Sequence, residues 1–126
     1  MSLPFLLGLL GGREEAKAAC SELSAHPEWL PSFPHNAQLF LAYGSGEIDD
    51  QKLLQGMKTS KWMKGWAHFV IALTHLADGD RHQAQDHFNA CIAMRCLYDF
   101  PTDWSRAFLD RLKKDPAWPS WISQKP

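Results

Sequence analysis

The chain has 126 residues, of which 45% are hydrophobic and 21% charged, and its formal net charge is −1. This length and composition are typical of one folded domain and exclude a disordered chain. A net charge so close to zero gives no long-range attraction for nucleic acid or for an anionic membrane surface. We therefore expect neither as a partner.

The chain opens with an apolar run at residues 3–10, which is too short to span a bilayer. No basic segment precedes this run and no small-residue cleavage site follows it, so it does not resemble a secretory leader. Cys20, Cys91 and Cys96 form an odd set without CxxC spacing, which favours reduced thiols in a reducing compartment. Together these features predict a cytoplasmic protein.

Residues 3–27 form the first predicted unit, a pair of helices joined by Gly11 and Gly12. The second helix runs over 13–25 and ends at His26, because the residue before a proline is pushed out of the helical region. A proline-rich connection follows at residues 29–34. The apolar side of the second helix consists of Ala16, Ala19, Cys20 and Leu23.

The second predicted unit covers residues 35–58. Its first helix is interrupted by Gly44 and Gly46, since glycine tolerates the conformations that end a helix. Its second helix takes its apolar side from Leu53, Leu54 and Met57.

The third predicted unit, residues 62–95, is the most regular. Gly79 suits the end of one helix, and Asp80 the N-cap of the next with Gln83 three residues on. The first helix is apolar almost all round, which indicates a central helix packed on several sides. On the second helix we expect Arg81 to face water.

A last helix and tail occupy residues 102–126, where Thr102 or Asp103 is the expected N-cap. The helix carries a stripe of Trp104, Phe108 and Leu112. We expect it to cover the last apolar face of the domain and the aromatic segment 118–122 to pack back onto it.

Positions in these units recur at intervals of 34 residues: Ala16, Asp50 and Ala84; Cys20, Leu54 and Phe88; Leu23, Met57 and Cys91. This period, with a helix-turn-helix in each unit, resembles the tetratricopeptide repeat family. The likeness is best between Gly65 and Ile92, although His68 and His75 replace the usual Trp or Tyr and the closing proline is absent. The structural positions of the resembled repeat are Ala16, Cys20, Ala72, Gly79, Asp80, Ala84, Phe88 and Cys91.

The resemblance implies an all-α fold, a short tetratricopeptide-like solenoid with a C-terminal capping helix, in one domain over residues 1–126. It also implies a non-catalytic module or scaffold that binds a protein or peptide, with no cofactor and no metal. The ligand-facing positions of the family correspond here to Trp66, Phe69, Leu73 and Leu76. These predict a groove, although neighbouring helices or a second copy of the chain are alternative occupants of that face.

The stretch from Ala67 to Phe88 is also similar to helical repeat regions appended to large bacterial regulatory proteins, including some serine/threonine kinases. That narrower resemblance implies a regulatory or structural segment of a larger bacterial signalling protein. The chain contains no glycine-rich phosphate loop, His-Arg-Asp loop or Asp-Phe-Gly sequence. No kinase activity is therefore expected from these residues.

Histidines and cysteines crowd the third unit and the residue that follows it: His68, His75, His82, His87, Cys91 and Cys96. His87 and Cys91 are four residues apart, a spacing that can bind a metal or pair a base with a nucleophile. A small metal-binding or hydrolytic protein is therefore the alternative from a different functional class. Core or half-exposed histidines and an inert buried thiol are the interpretation we prefer, so no catalytic residue is assigned.

Overall fold

The computed structural model describes residues 3–29, 37–58, 60–96 and 99–125, and the regular secondary structure within them is entirely helical. The predicted all-α class is therefore confirmed. Residue 35, where the second unit was expected to begin, and most of the connection at 29–34 lie outside the described residues. The helices are α1 (Leu3–Leu9), α2 (Arg13–Ala25), a 3-10 turn (Pro27–Trp29), α3 (Ala37–Ser45), α4 (Asp50–Gly56), α5 (Lys61–Ala77), α6 (Arg81–Ala93) and α7 (Phe100–Lys114).

Helix α5 lies at the centre of the fold and contacts α1, α4, α6 and α7. Its side chains at Phe69, Val70, Ile71, Leu73 and Leu76 have no exposed surface. This burial confirms the expectation, drawn from its nearly continuous apolar character, that the helix is packed on several sides.

Helices α2 and α3 approach each other closely at Cys20 and Gly44. Both residues are buried, and a Cβ atom added to Gly44 would overlap the Cys20 sulfur. Ala16, one turn earlier on α2, is also buried. Small side chains at these positions therefore allow the backbones to pack at short range.

The turn between α5 and α6 has the predicted geometry. Gly79 has a φ angle of 85°, a left-handed conformation that favours glycine. Asp80 is the N-cap of α6, and its Oδ1 accepts a hydrogen bond from the backbone N–H of Gln83 at 3.1 Å. On α6, Ala84, Phe88 and Cys91 face the core.

Helix α7 begins earlier than predicted. Its N-cap is Asp99, not Thr102 or Asp103, because the Asp99 carboxylate accepts the backbone N–H of Thr102 at 3.0 Å. Pro101 occupies the first turn, where its missing N–H leaves no helical hydrogen bond unmade. Thr102 instead lies inside the first turn of α7 and is buried.

Arg81 is 6% exposed, which corrects the expectation that it faces water. Its guanidinium group donates hydrogen bonds to the C-terminal segment, which folds back over the start of α6. The acceptors are the carbonyl oxygens of Gly79, Ala117, Trp118, Pro119 and Ile122 and the side-chain oxygen of Gln124.

The same segment reaches the first helix, since the Trp121 Nε1–H donates to the carbonyl oxygen of Leu9 at 2.8 Å. The Lys125 N–H donates to the carbonyl of Gly79 at 3.1 Å. The tail is thus docked, as its aromatic residues suggested.

Candidate functional site

The four side chains predicted to line a groove on α5 do not form one. Phe69, Leu73 and Leu76 are fully buried, and Trp66 alone keeps partial exposure. The Phe69 ring packs against Phe88 on α6, at a centroid separation of 6.2 Å, and against aromatic rings of α7. This corrects the predicted groove, because neighbouring helices fill that face of α5.

A different aromatic site lies where the beginning of α5 meets α7. Trp62 and Trp66 are one turn apart on α5, and Phe100 and Trp104 are one turn apart on α7. Ring centroids are separated by 6.1 Å for Trp62 and Trp66, 5.8 Å for Trp66 and Phe100, and 4.9 Å for Phe100 and Trp104. We call these four side chains the aromatic surface.

Much of the aromatic surface is open to water. Trp62 is 51% exposed, Trp104 42% and Phe100 39%. Single exposed apolar residues are ordinary, but adjoining large rings of this kind are the usual mark of an interaction site. Trp66 and the α7 stripe stand out separately in the sequence, with nothing to join them. The signal that could have done so is the matching pair of aromatic residues four apart, at 62 and 66 and at 100 and 104.

A cleft of about 180 Å³ adjoins the aromatic surface on the α7 side. It is lined by Trp104, Ala107, Phe108, Arg111 and Trp118. The Arg111 guanidinium carbon lies 5.9 Å from the centre of the Trp118 ring, in a cation–π arrangement. The cleft therefore offers apolar walls and one cation.

Arg111 differs from Arg106 and Lys114 on the same helix. Arg106 pairs with Asp103 at 3.8 Å, and Lys114 pairs with Asp110 at 2.9 Å. Among the described parts of the chain, no carboxylate lies within 4.0 Å of the Arg111 guanidinium. Its charge is thus available to a group from another molecule.

A second site, which we call the polar cluster, joins α3, α4, α5 and α6 and consists of Tyr43, Asp50, His68, His75 and His87. Asp50 accepts two hydrogen bonds of 2.7 Å, from the Tyr43 hydroxyl and from His75 Nε2. The Nδ1 atoms of His68 and His87 are 3.0 Å apart, so one ring donates and the other accepts. The rings of His75 and His87 are parallel, with centroids 5.7 Å apart.

Burial and pairing shift the acid–base properties of the polar cluster. Partial burial opposes ionisation of Asp50, but the hydrogen bonds from His75 and Tyr43 outweigh it and lower the pKa of this carboxyl. Burial, reinforced by the neighbouring His87, lowers the pKa of His68 to about 4. Burial also lowers the pKa of His87. At neutral pH the cluster therefore combines the Asp50 carboxylate with two imidazoles, those of His68 and His87, whose lowered pKa values favour the neutral form.

Cys91 lies near Thr102 and Ser105 of α7 and makes no hydrogen bond to the polar cluster. Cys91 is 1% exposed, and its burial raises the pKa of the thiol to about 11, so at neutral pH the thiolate nucleophile is scarcely formed. His87 is engaged with His68, and His82 is an exposed residue of α6 whose side chain is near Asp86. The sequence-based pairing of His87 with Cys91 is thus replaced by a pairing of histidines and a carboxylate.

No protein-family model, curated protein or solved structure matches this chain. Within the described ranges, no helix combines the length and the apolar character needed to cross a bilayer.

Proposed function

We propose that this protein is a non-catalytic binding module that holds a partner protein through the aromatic surface. The observation that carries this proposal is the run of adjoining rings across α5 and α7, three of them between 39% and 51% exposed. Trp side chains contribute disproportionately to binding energy at protein interfaces because they bury a large, rigid area.

The chemistry of the site points to the kind of partner. The cleft beside Trp104 is apolar apart from Arg111, whose cation has no described carboxylate partner. A peptide segment with a bulky apolar side chain and a neighbouring Asp or Glu would fill the cleft and neutralise this charge. The proposed partner is therefore a protein segment that combines an apolar anchor with an acidic residue.

A tetratricopeptide-like arrangement is part of the same proposal. In its support, α5 and α6 form a helical hairpin with Gly79 and Asp80 at the turn, and Ala72 and Ala84 are buried without exposed surface. The helices are unequal in length, from 7 to 17 residues, which a regular array would not show. The module is thus at most an irregular member of that architecture.

The test is selection of random linear peptides displayed on phage against the purified chain. We expect enriched peptides to share an aromatic or aliphatic residue close to Asp or Glu. In calorimetric titrations with a synthetic selected peptide, Trp104→Ala should weaken binding by about 2 kcal/mol or more. Arg111→Glu should weaken it about tenfold or more, since it places like charges together.

Trp29→Ala is the matched control, because Trp29 is 53% exposed but stacks on His26, away from the aromatic surface. Its affinity for the peptide should equal that of the parent chain. Peptides whose binding is equally affected by the Trp29 and Trp104 variants would overturn the proposal. Sedimentation equilibrium tests whether a second copy of the chain covers the aromatic surface instead. If it does, the parent chain is a dimer and Trp104→Ala is a monomer.

A further inference from the structure

Three side chains from three different helices converge within the polar cluster. Asp50 begins α4, His75 lies in the last turn of α5, and His87 lies midway along α6. One potential ligand atom from each lies within 4.8 Å of the other two. Two imidazole nitrogens and one carboxylate oxygen form a set that zinc and chemically similar divalent ions prefer.

We propose that Asp50, His75 and His87 bind a divalent transition-metal ion, with zinc as the ion of first choice. This site differs from the one that sequence spacing suggested, because it uses a carboxylate from the preceding unit in place of Cys91. It is also independent of the aromatic surface.

The separations suit a metal after a small adjustment. Zinc bonds of about 2.1 Å in a tetrahedral site place the ligand atoms about 3.4 Å from one another. His75 Nε2 and Asp50 Oδ2 are now 2.7 Å apart and share a proton, which the ion would replace. Side-chain rotations that move these two atoms apart by about 1 Å would bring their separation to the value that zinc requires.

Hydrogen bonds with neighbouring groups already orient two of the three ligands, Asp50 and His87. The Tyr43 hydroxyl donates to Asp50 Oδ1 and leaves Oδ2 directed at His75. His87 uses Nδ1 toward His68, which leaves its Nε2 for an ion. The other nitrogen of His75, Nδ1, lies 4.0 Å from the Asp80 carboxylate, which is beyond hydrogen-bonding distance. A hydrogen-bonded outer partner, such as His68 for His87, fixes the ring orientation of a metal-binding histidine and raises its basicity.

The site is accessible as well as organised. The His75 side chain is 20% exposed and that of Asp50 is 34% exposed, so an ion can enter from solvent. Three protein ligands leave a fourth position for water, the coordination found where zinc is not purely structural.

The experiment is calorimetric titration of the chelator-treated full chain with zinc chloride, together with visible spectroscopy of the cobalt(II) complex. We expect one ion per chain and a dissociation constant in the micromolar range or tighter. Asp50→Asn and His87→Ala should each weaken binding by more than about 100-fold, and Tyr43→Phe, which removes an orienting group, by about 10-fold. Circular dichroism without metal establishes that each variant remains folded, and His75→Gln replaces any variant that does not.

Two controls make the result specific. His82→Ala removes an exposed histidine from α6, the helix that carries His87, and should leave the affinity for zinc unchanged. A Cys91→Ser/Cys96→Ser double variant should also bind normally. Binding weaker than about 100 µM, or binding lost in the cysteine variant and retained in Asp50→Asn, would overturn the assignment.

Discussion

The polar cluster and the aromatic surface both use residues of α5. They differ in how completely their side chains are paired with, or covered by, other groups of the same chain. In the polar cluster, Asp50 receives hydrogen bonds from Tyr43 and His75, and His68 is paired with His87. The aromatic surface leaves large rings such as Trp62 and Trp104 about half exposed. Internal pairing contributes to the stability of this chain, whereas uncovered apolar area is available to another molecule.

This difference predicts where substitutions act. Removing a partner from the polar cluster leaves a half-buried polar group without its hydrogen bond and should lower stability. Removing an exposed ring should leave stability nearly unchanged and weaken association instead.

The largest effect is expected for Phe69→Ala, at the boundary between the aromatic surface and the core. Phe69 is fully buried and contacts Trp66, Phe88 and Phe100. Loss of its ring leaves a cavity, and the free energy of unfolding in urea should fall by about 3–5 kcal/mol. A loss below about 1 kcal/mol would show that the face is open and would restore the groove predicted from sequence.

Acid should destabilise the metal-free protein through the polar cluster. The pKa of His68 is about 4 in the folded chain and about 6.5 when unfolded, so between these values only the unfolded chain binds the proton. The free energy of unfolding should therefore fall as the pH falls, by about 1.4 kcal/mol per pH unit at most for this residue. The lowered pKa of His87 acts in the same direction.

Urea unfolding between pH 7 and about pH 5, in the presence of a chelator, measures this slope. A His68→Phe variant should show a shallower dependence than the parent chain. Equal slopes in the two proteins would mean that the pKa of His68 is the same in the folded and the unfolded chain.

Tyr43→Phe should have a smaller effect. It removes the hydroxyl that donates to Asp50 while keeping the ring that packs near Phe5. We expect a loss of about 1 kcal/mol from the free energy of unfolding, the usual net value of such a hydrogen bond. An unchanged stability would indicate that water replaces the hydroxyl and that the cluster is less enclosed than its burial indicates.

The smallest effect on stability is expected for Trp62→Ala. Its side chain is half exposed and its ring packs edge-on against Trp66, so the free energy of unfolding in urea should change by no more than about 0.5 kcal/mol. A loss as large as that of Phe69→Ala would place Trp62 in the core and remove it from the aromatic surface.

The features that could be predicted are those that depend on residues close together in the sequence. The Gly79–Asp80 turn and the central position of α5 followed from local backbone preferences and from the distribution of apolar residues. The predicted start of α7 was wrong because several side chains near Pro101 can cap a helix. The one that does so is Asp99, whose carboxylate accepts the backbone N–H of Thr102. The burial of Arg81 depends on the tail, which lies more than thirty residues later.

The two sites were only partly predictable for the same reason. His68, His75 and His87 could be singled out by their density. Asp50 joins them from another unit, and its one mark in the sequence is its charge at a repeat position where Ala16 and Ala84 are small. Trp66 was identified as a binding residue, whereas its stacking on Phe100 depends on how α7 crosses α5.

The hydrogen bond from Trp121 to Leu9 spans 112 residues and links the C-terminal segment to the first helix. In an open helical array each end can fray without disturbing the other, because stability is the sum of contacts between neighbours. Here, detachment of either end exposes part of the other, since α1 also packs on α5 and the tail is held by Arg81 at the start of α6. The two ends should therefore exchange their amide protons with similar protection, as one cooperative unit.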